Sequence, residues 1–158
     1  MKLLSAAFIL VSGFTLSLAF GEIPYKTSNK AVPAGADFNK LIPLKVGSFE
    51  RVEFSPPAPG LDGEAMYRSG KKEIFMLFSR ADNSKDLKET METIRDEVKD
   101  NKTTDARTIS LKTDIAYIHF LGPKIAFFAW TRGLYCFSAD SKKGDKKSLE
   151  EFMSAFPY

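Results

Sequence analysis

The chain has one histidine and one cysteine, His119 in YIHFL and Cys136 in GLYCF, and these carry the first question about chemistry. A catalytic histidine needs a nucleophile or a carboxylate within hydrogen-bond reach, and a metal centre needs several ligands. One His and one Cys supply at most a two-ligand nucleus. His119 is therefore expected as a hydrogen-bonded residue within a strand, and an enzyme pairing His119 with a carboxylate is the alternative. A reactive thiol wants exposure and a neighbouring positive charge. Cys136 is expected instead as a small buried apolar group, since it sits in the middle of a strand.

Three further stretches invite a chemical reading. Asp82-x-Ser84-x-Asp86 begins like a calcium loop, but its sixth position is Leu87 rather than Gly and its twelfth is Thr93 rather than Glu. That departure rejects calcium binding there. Lys142-Lys143-Gly144-Asp145-Lys146-Lys147 is the densest basic stretch and reads as a solvated loop, with an anionic surface as the alternative contact. Asn101-Lys102-Thr103 fits the glycosylation sequon. No nucleophile elbow, phosphate loop, zinc motif or dinucleotide fingerprint is present, so no catalytic, cofactor-binding or metal-binding residue is assigned and no cofactor is implied.

The most informative stretch is KIAFFAWTRGLYCF, residues 124–137, which reads as a β-hairpin. A two-residue turn at Arg132-Gly133 predicts that Trp130 opposes Tyr135 and Phe128 opposes Phe137. One face then carries Phe128, Trp130, Tyr135 and Phe137. The other carries Ile125, Phe127, Ala129, Leu134 and Cys136. The strand EIFMLF repeats the trait, with Ile74, Met76 and Phe78 on one side and Phe75 and Leu77 on the other. Each large apolar side chain left in water forgoes about 1.5–3 kcal/mol, so both faces of these central strands must be covered. Phe128, Trp130, Arg132, Tyr135 and Phe137 form the candidate binding surface. Trp130, Arg132 and Tyr135 would serve as a cation–π edge at one end of the hairpin.

The elements that position these residues follow from periodicity. Leu87, Met91, Ile94 and Val98 make one stripe of a helix over residues 84–100, capped by Asn83 or Ser84. Leu149, Phe152, Met153 and Phe156 make a second amphipathic helix over 146–156, started by Asp145 or Ser148 and stopped by Pro157. Asp37 caps a short helix through Leu41. Strands are predicted over 48–54, 64–68 and 73–80, then over 107–112, 116–121, 124–131 and 134–141. The expected fold is α+β, an antiparallel sheet of about six to seven strands with two amphipathic helices in a layered sandwich, one helix to each face; the alternative puts both helices on one face and leaves the other to a partner subunit, the N-terminal arm or an apolar ligand. The order hints at two related halves.

At the N-terminus, Met1-Lys2 precedes an uncharged apolar run from Leu3 to Phe20, with small-residue cleavage positions after Ala19 and after Gly21. This predicts a secretory signal peptide over residues 1–21. Residues 22–36, polar and holding two Pro, are expected as a flexible N-terminal arm, and 37–158 as a single α+β domain. Cysteine is absent from the cleavage region, which excludes a lipid-anchored mature N-terminus. No stable membrane anchor is expected after cleavage. The single thiol leaves stability to the core, to which the 11 of 14 Phe beyond residue 21 are available. Net charge is +3, falling to +2 when Lys2 is lost with the leader, too balanced to imply a nucleic-acid partner.

The sequence thus points to an exported, periplasmic or extracellular protein, a small non-enzymatic binding or accessory domain of the cell envelope or extracellular space. Its expected partner is another envelope protein. An apolar small molecule or lipid held against the sheet is the alternative, and a homodimer burying the aromatic face is the third.

Overall fold

Among the described residues from 45 onward the chain forms two meanders of four strands, each followed by a helix. The computed structural model describes Ser28 and residues 30–99, 105–110, 116–122 and 124–158, with the side chains of 97–99, 105–110, 116–122, 125 and 142 outside the description. The predicted signal peptide, the sequon at Asn101 and the side chains of His119 and Val98 lie outside the described residues. A short helix α1 (Phe38–Leu41) leads into β1 (Lys45–Val46), β2 (Phe49–Ser55), β3 (Gly63–Ser69), β4 (Lys72–Arg80) and α2 (Ser84–Lys99). Strands β5 (Asp105–Ser110), β6 (Ala116–Gly122), β7 (Ile125–Arg132) and β8 (Tyr135–Ser141) follow, then a 3-10 turn (Lys142–Gly144) and α3 (Lys146–Ala155).

All eight strands join one antiparallel sheet in the order β1-β2-β3-β4-β8-β7-β6-β5, which gives the α+β class. This is one strand more than periodicity predicts. The addition is β1, whose two residues are too short to carry an alternation. Among the described residues the α-helices number three, because α1 adds one turn capped by the Asp37 carboxylate, which accepts from Asn39 N.

The halves meet where β4 pairs with β8. Their echo extends to connectivity and stops there. A two-fold axis relating antiparallel neighbours stands perpendicular to the sheet and would leave both helices on one face. Instead α3 packs with Phe128, Trp130 and Phe137 on one face, and α2 packs with Phe127, Ala129 and Cys136 on the other.

Register decides which side chains share a face. Tyr67 opposes Ile74, Met76 opposes Ala139, Phe78 opposes Phe137, and Phe137 opposes Trp130. These residues, with Ala65, Phe128 and Tyr135, form the first face and the main core. Phe49, Phe152 and Phe156 close over it, with Phe49–Phe152 and Tyr67–Phe152 ring centroids 5.6 and 4.9 Å apart. The imperfect alternation of SFERVEF also finds its reason. The β2–β3 register shifts between Arg51 and Glu53, so Val52 is extruded into solvent while Phe49 and Phe54, of opposite parity, both reach the core.

The β7–β8 turn falls at Gly133-Leu134 rather than Arg132-Gly133, so Arg132 pairs with Tyr135 and Trp130 with Phe137. Gly133 takes φ +56°, the left-handed backbone that the first central position of a tight hairpin requires. The slide changes each pairing by two positions. Because strand side chains alternate with period two, the membership of the faces survives, and only Leu134 leaves the strand.

Among the described residues, no helix is long and apolar enough to cross a membrane.

Candidate binding cleft

The residues singled out as a binding surface lie inside the protein. Phe128, Trp130 and Phe137 are 0% exposed, Tyr135 3% and Arg132 5%. The reason is the C-terminal segment: α3 carries Phe156 against both Trp130 and Phe137, at centroid distances of 5.5 and 5.9 Å. The Trp130 indole N–H donates to Tyr158 O at 3.2 Å. From the other direction, the N-terminal segment closes over the hairpin end. Arg132 Nη2 donates to Ser28 O at 2.7 Å, and Val32, Ala36 and Phe38 pack on the core. Trp130 and Tyr135 are core residues, and the cation over the Tyr135 ring is Arg80, at 5.8 Å. The described part of the arm, Ser28 and 30–36, is docked along this face.

The second face is covered less completely. The stripe of α2 meets it through Leu87, Met91 and Ile94, which pack with Phe127, Ala129 and Cys136. Asn83 starts the helix by accepting from Lys85 N and Asp86 N, which ties the Asp82–Asp86 stretch to capping. Met66, Phe75, Leu77 and Phe127 remain only half-buried.

Between this face and α2 lies a cleft of about 570 Å³. Its floor is Leu77, Phe127, Cys136 and Ser138, and its helix wall is Asp86, Glu89, Thr90, Thr93 and Ile94, with Asp62 at the side. A smaller recess of about 310 Å³, under the loop holding Pro57 and Leu61, shares Asp62, Asp86 and Thr90 with it. Asp86, Thr90 and Thr93 stand at i, i+4 and i+7, a polar line beside the apolar stripe. The Thr90 and Thr93 hydroxyls donate to Asp86 O and Glu89 O, at 2.9 and 3.0 Å, which keeps their oxygens available as acceptors. An apolar floor with a rim of hydroxyls and carboxylates is the usual make-up of a small-molecule site, and 570 Å³ falls in the size range such sites occupy.

Cys136 is not a nucleophile there. Burial pushes its thiol up to about 12, with the nearby Asp62 charge adding to the effect, and its sulfur contacts Met91 Sδ at 3.7 Å. The neutral thiol serves as packing, as expected of a mid-strand cysteine. Among the described residues no cluster of three or more His, Cys, Asp or Glu could hold a metal ion. His119 pairs through its backbone with Phe128 and Arg107. In the basic loop, Lys143 has left-handed φ 61°, and the Asp145 carboxylate caps α3 by accepting from Ser148 N at 3.1 Å. Lys143, Lys146 and Lys147 are exposed.

Sequence reasoning expected Cys136 as a buried apolar group after weighing a reactive thiol, placed Phe127 on an apolar strand face, and assigned no binding role to Asp62, Thr90, Thr93 or Ser138. The available signal was the pairing of an apolar second face with a helix whose stripe is flanked by threonines. Comparison of the chain with protein-family models, with characterised proteins and with solved structures finds no match.

Proposed function

We propose that the protein is an exported, non-enzymatic binding domain of the cell envelope or extracellular space whose ligand site is the cleft beneath α2. The observation that carries this reading is the cleft itself, about 570 Å³ with an apolar floor and a polar rim, next to a sheet face otherwise only partly covered. The buried aromatic face supports the same assignment by exclusion, because its side chains are already engaged by α3 and the N-terminal segment. The arrangement is taken as a layered sandwich, with α3 and the N-terminal segment on one side of the sheet and α2 on the other. The occupant is an amphipathic small molecule. Its apolar part lies on Leu77, Phe127 and Ile94, and its polar part meets Thr90, Thr93 and the carboxylates. This joins the binding-domain reading to the apolar-carrier alternative in one site.

Native mass spectrometry of the protein recovered from an exported fraction tests this directly. The expected result is a chain lacking about 21 N-terminal residues and carrying a non-covalent adduct that Thr90→Trp removes by filling the cleft. A retained leader would overturn the export assignment. An adduct that survives Thr90→Trp in a folded protein, or none on the wild-type chain, would overturn the cleft assignment.

A further inference from the structure

The hairpin end of the first face carries a second feature, independent of the cleft. Arg132 is 95% buried, and among the described residues no carboxylate pairs with its guanidinium. Nη1 donates to Thr131 O at 3.0 Å and Nη2 to Ser28 O at 2.7 Å, while the buried Nε–H donates to nothing. Two neutral carbonyls do not balance a full positive charge, and burying an uncompensated cation with an unused donor is costly. That cost shows as a downward pull on the Arg132 pKa caused by desolvation alone.

A second cation stands nearby. Arg80 on β4 and Arg132 on β7 both pair directly with Tyr135 on β8, so the two arginines flank that residue on the same face. Both line a pocket of about 160 Å³ whose other walls are Val32, Ala34, Gly35, Gly133, Leu134 and Tyr135. Among the described residues the lining holds two positive charges, no negative charge and short apolar walls.

We infer that this pocket binds a small organic carboxylate, its charge balancing those of Arg132 and Arg80, its short alkyl part against Val32, Ala34 and Leu134. A guanidinium edge matches a carboxylate in geometry and charge. The volume is below the roughly 300 Å³ at which pockets for larger ligands begin, which limits the guest to a short chain. The apolar walls favour a monocarboxylate over inorganic phosphate, whose every exposed atom is polar.

The test is a titration of the folded protein with sodium butyrate, at ionic strength matched with sodium chloride, read by the arginine Nε–H resonances in a nitrogen–proton correlation spectrum. One buried, slowly exchanging Nε–H signal, removed by Arg132→Met, is expected to shift saturably with butyrate and not with chloride or phosphate. Arg80→Gln, at an exposed position, should weaken binding roughly tenfold through loss of a charge-assisted contact. Should Arg132→Met fail to fold, Ala34→Asp places a tethered carboxylate at the pocket and is expected to abolish the butyrate shift. An Arg132 signal indifferent to butyrate, a response to phosphate alone, or butyrate binding unchanged in Arg80→Gln and Ala34→Asp would overturn the assignment.

Discussion

Replacing Phe156 with alanine tests whether the last helix and the residues after it seal the aromatic face. Phe156 is 2% exposed and touches four rings, those of Trp130, Phe137, Phe152 and Tyr158, at centroid distances of 5.5 to 6.4 Å. Removing a fully packed phenyl ring costs its transfer free energy plus the cavity left behind, together about 3–5 kcal/mol. That is a large share of the roughly 5–15 kcal/mol that holds a domain of this size folded. Urea denaturation followed by tryptophan fluorescence reads the effect without ambiguity, because Trp130 is the only tryptophan. With a urea slope of about 2 kcal/mol per molar, the midpoint should fall by roughly 1.5–2.5 M. Native emission should also move to longer wavelength as water reaches the indole. Ile94→Ala, on the half-covered second face, should cost clearly less, about 1–2 kcal/mol, since part of that side chain already meets solvent. A midpoint shift under about 0.5 M for Phe156→Ala with unchanged Trp130 emission would refute the sealed face. So would a larger loss for Ile94→Ala than for Phe156→Ala.

Other consequences are equally open to measurement. Burial raises the Cys136 thiol to about 12, so the native state holds that proton more tightly than the unfolded chain. Its contribution is intact below the ordinary thiol range, near 8.5, and is lost as pH rises through about 12. Burial pushes the Tyr67 phenol up as well, in the same sense. Stability should therefore decline above pH 9, and iodoacetamide at pH 8 should label Cys136 only in urea; rapid labelling of the native protein would contradict this. Gly63→Ala should destabilise by about 1–3 kcal/mol in thermal unfolding. A methyl group there would clash with the Phe78 ring of the neighbouring strand β4 and come within 2.7 Å of Pro57 Cδ. Asp145→Ala should cost about 0.5–2 kcal/mol by uncapping α3. The Ser148 hydrogen bonds hold the Asp145 carboxyl below the usual carboxylate range, so that contribution is present above about pH 4 and lost as pH falls through the lowered value. A neutral Asp145→Ala would assign the helix start to another group.

What the sequence determined by itself was the local periodicity. The spacing of Leu87, Met91 and Ile94, and of Leu149, Phe152 and Phe156, locates α2 and α3 and the stripes that pack on the sheet, partly buried for α2 and buried for α3. Alternation along 125–141 assigned Phe128, Trp130, Tyr135 and Phe137 to one face, and a two-position slide of the turn could not disturb it. The two-residue β1 and the bulge at Val52 were not legible, being too short or too local for a period.

Only the tertiary structure decided what covers each face. An apolar strand reads the same whether a helix, a partner or a ligand shields it, since burial favours removal from water without specifying the surface that removes it. The chain placed α3 and the N-terminal segment over the aromatic face, closing it, and set α2 over the other face loosely enough to leave a cleft. The cleft residues Asp62, Thr90 and Ser138 come from three separate elements, and no spacing along the chain records that they meet.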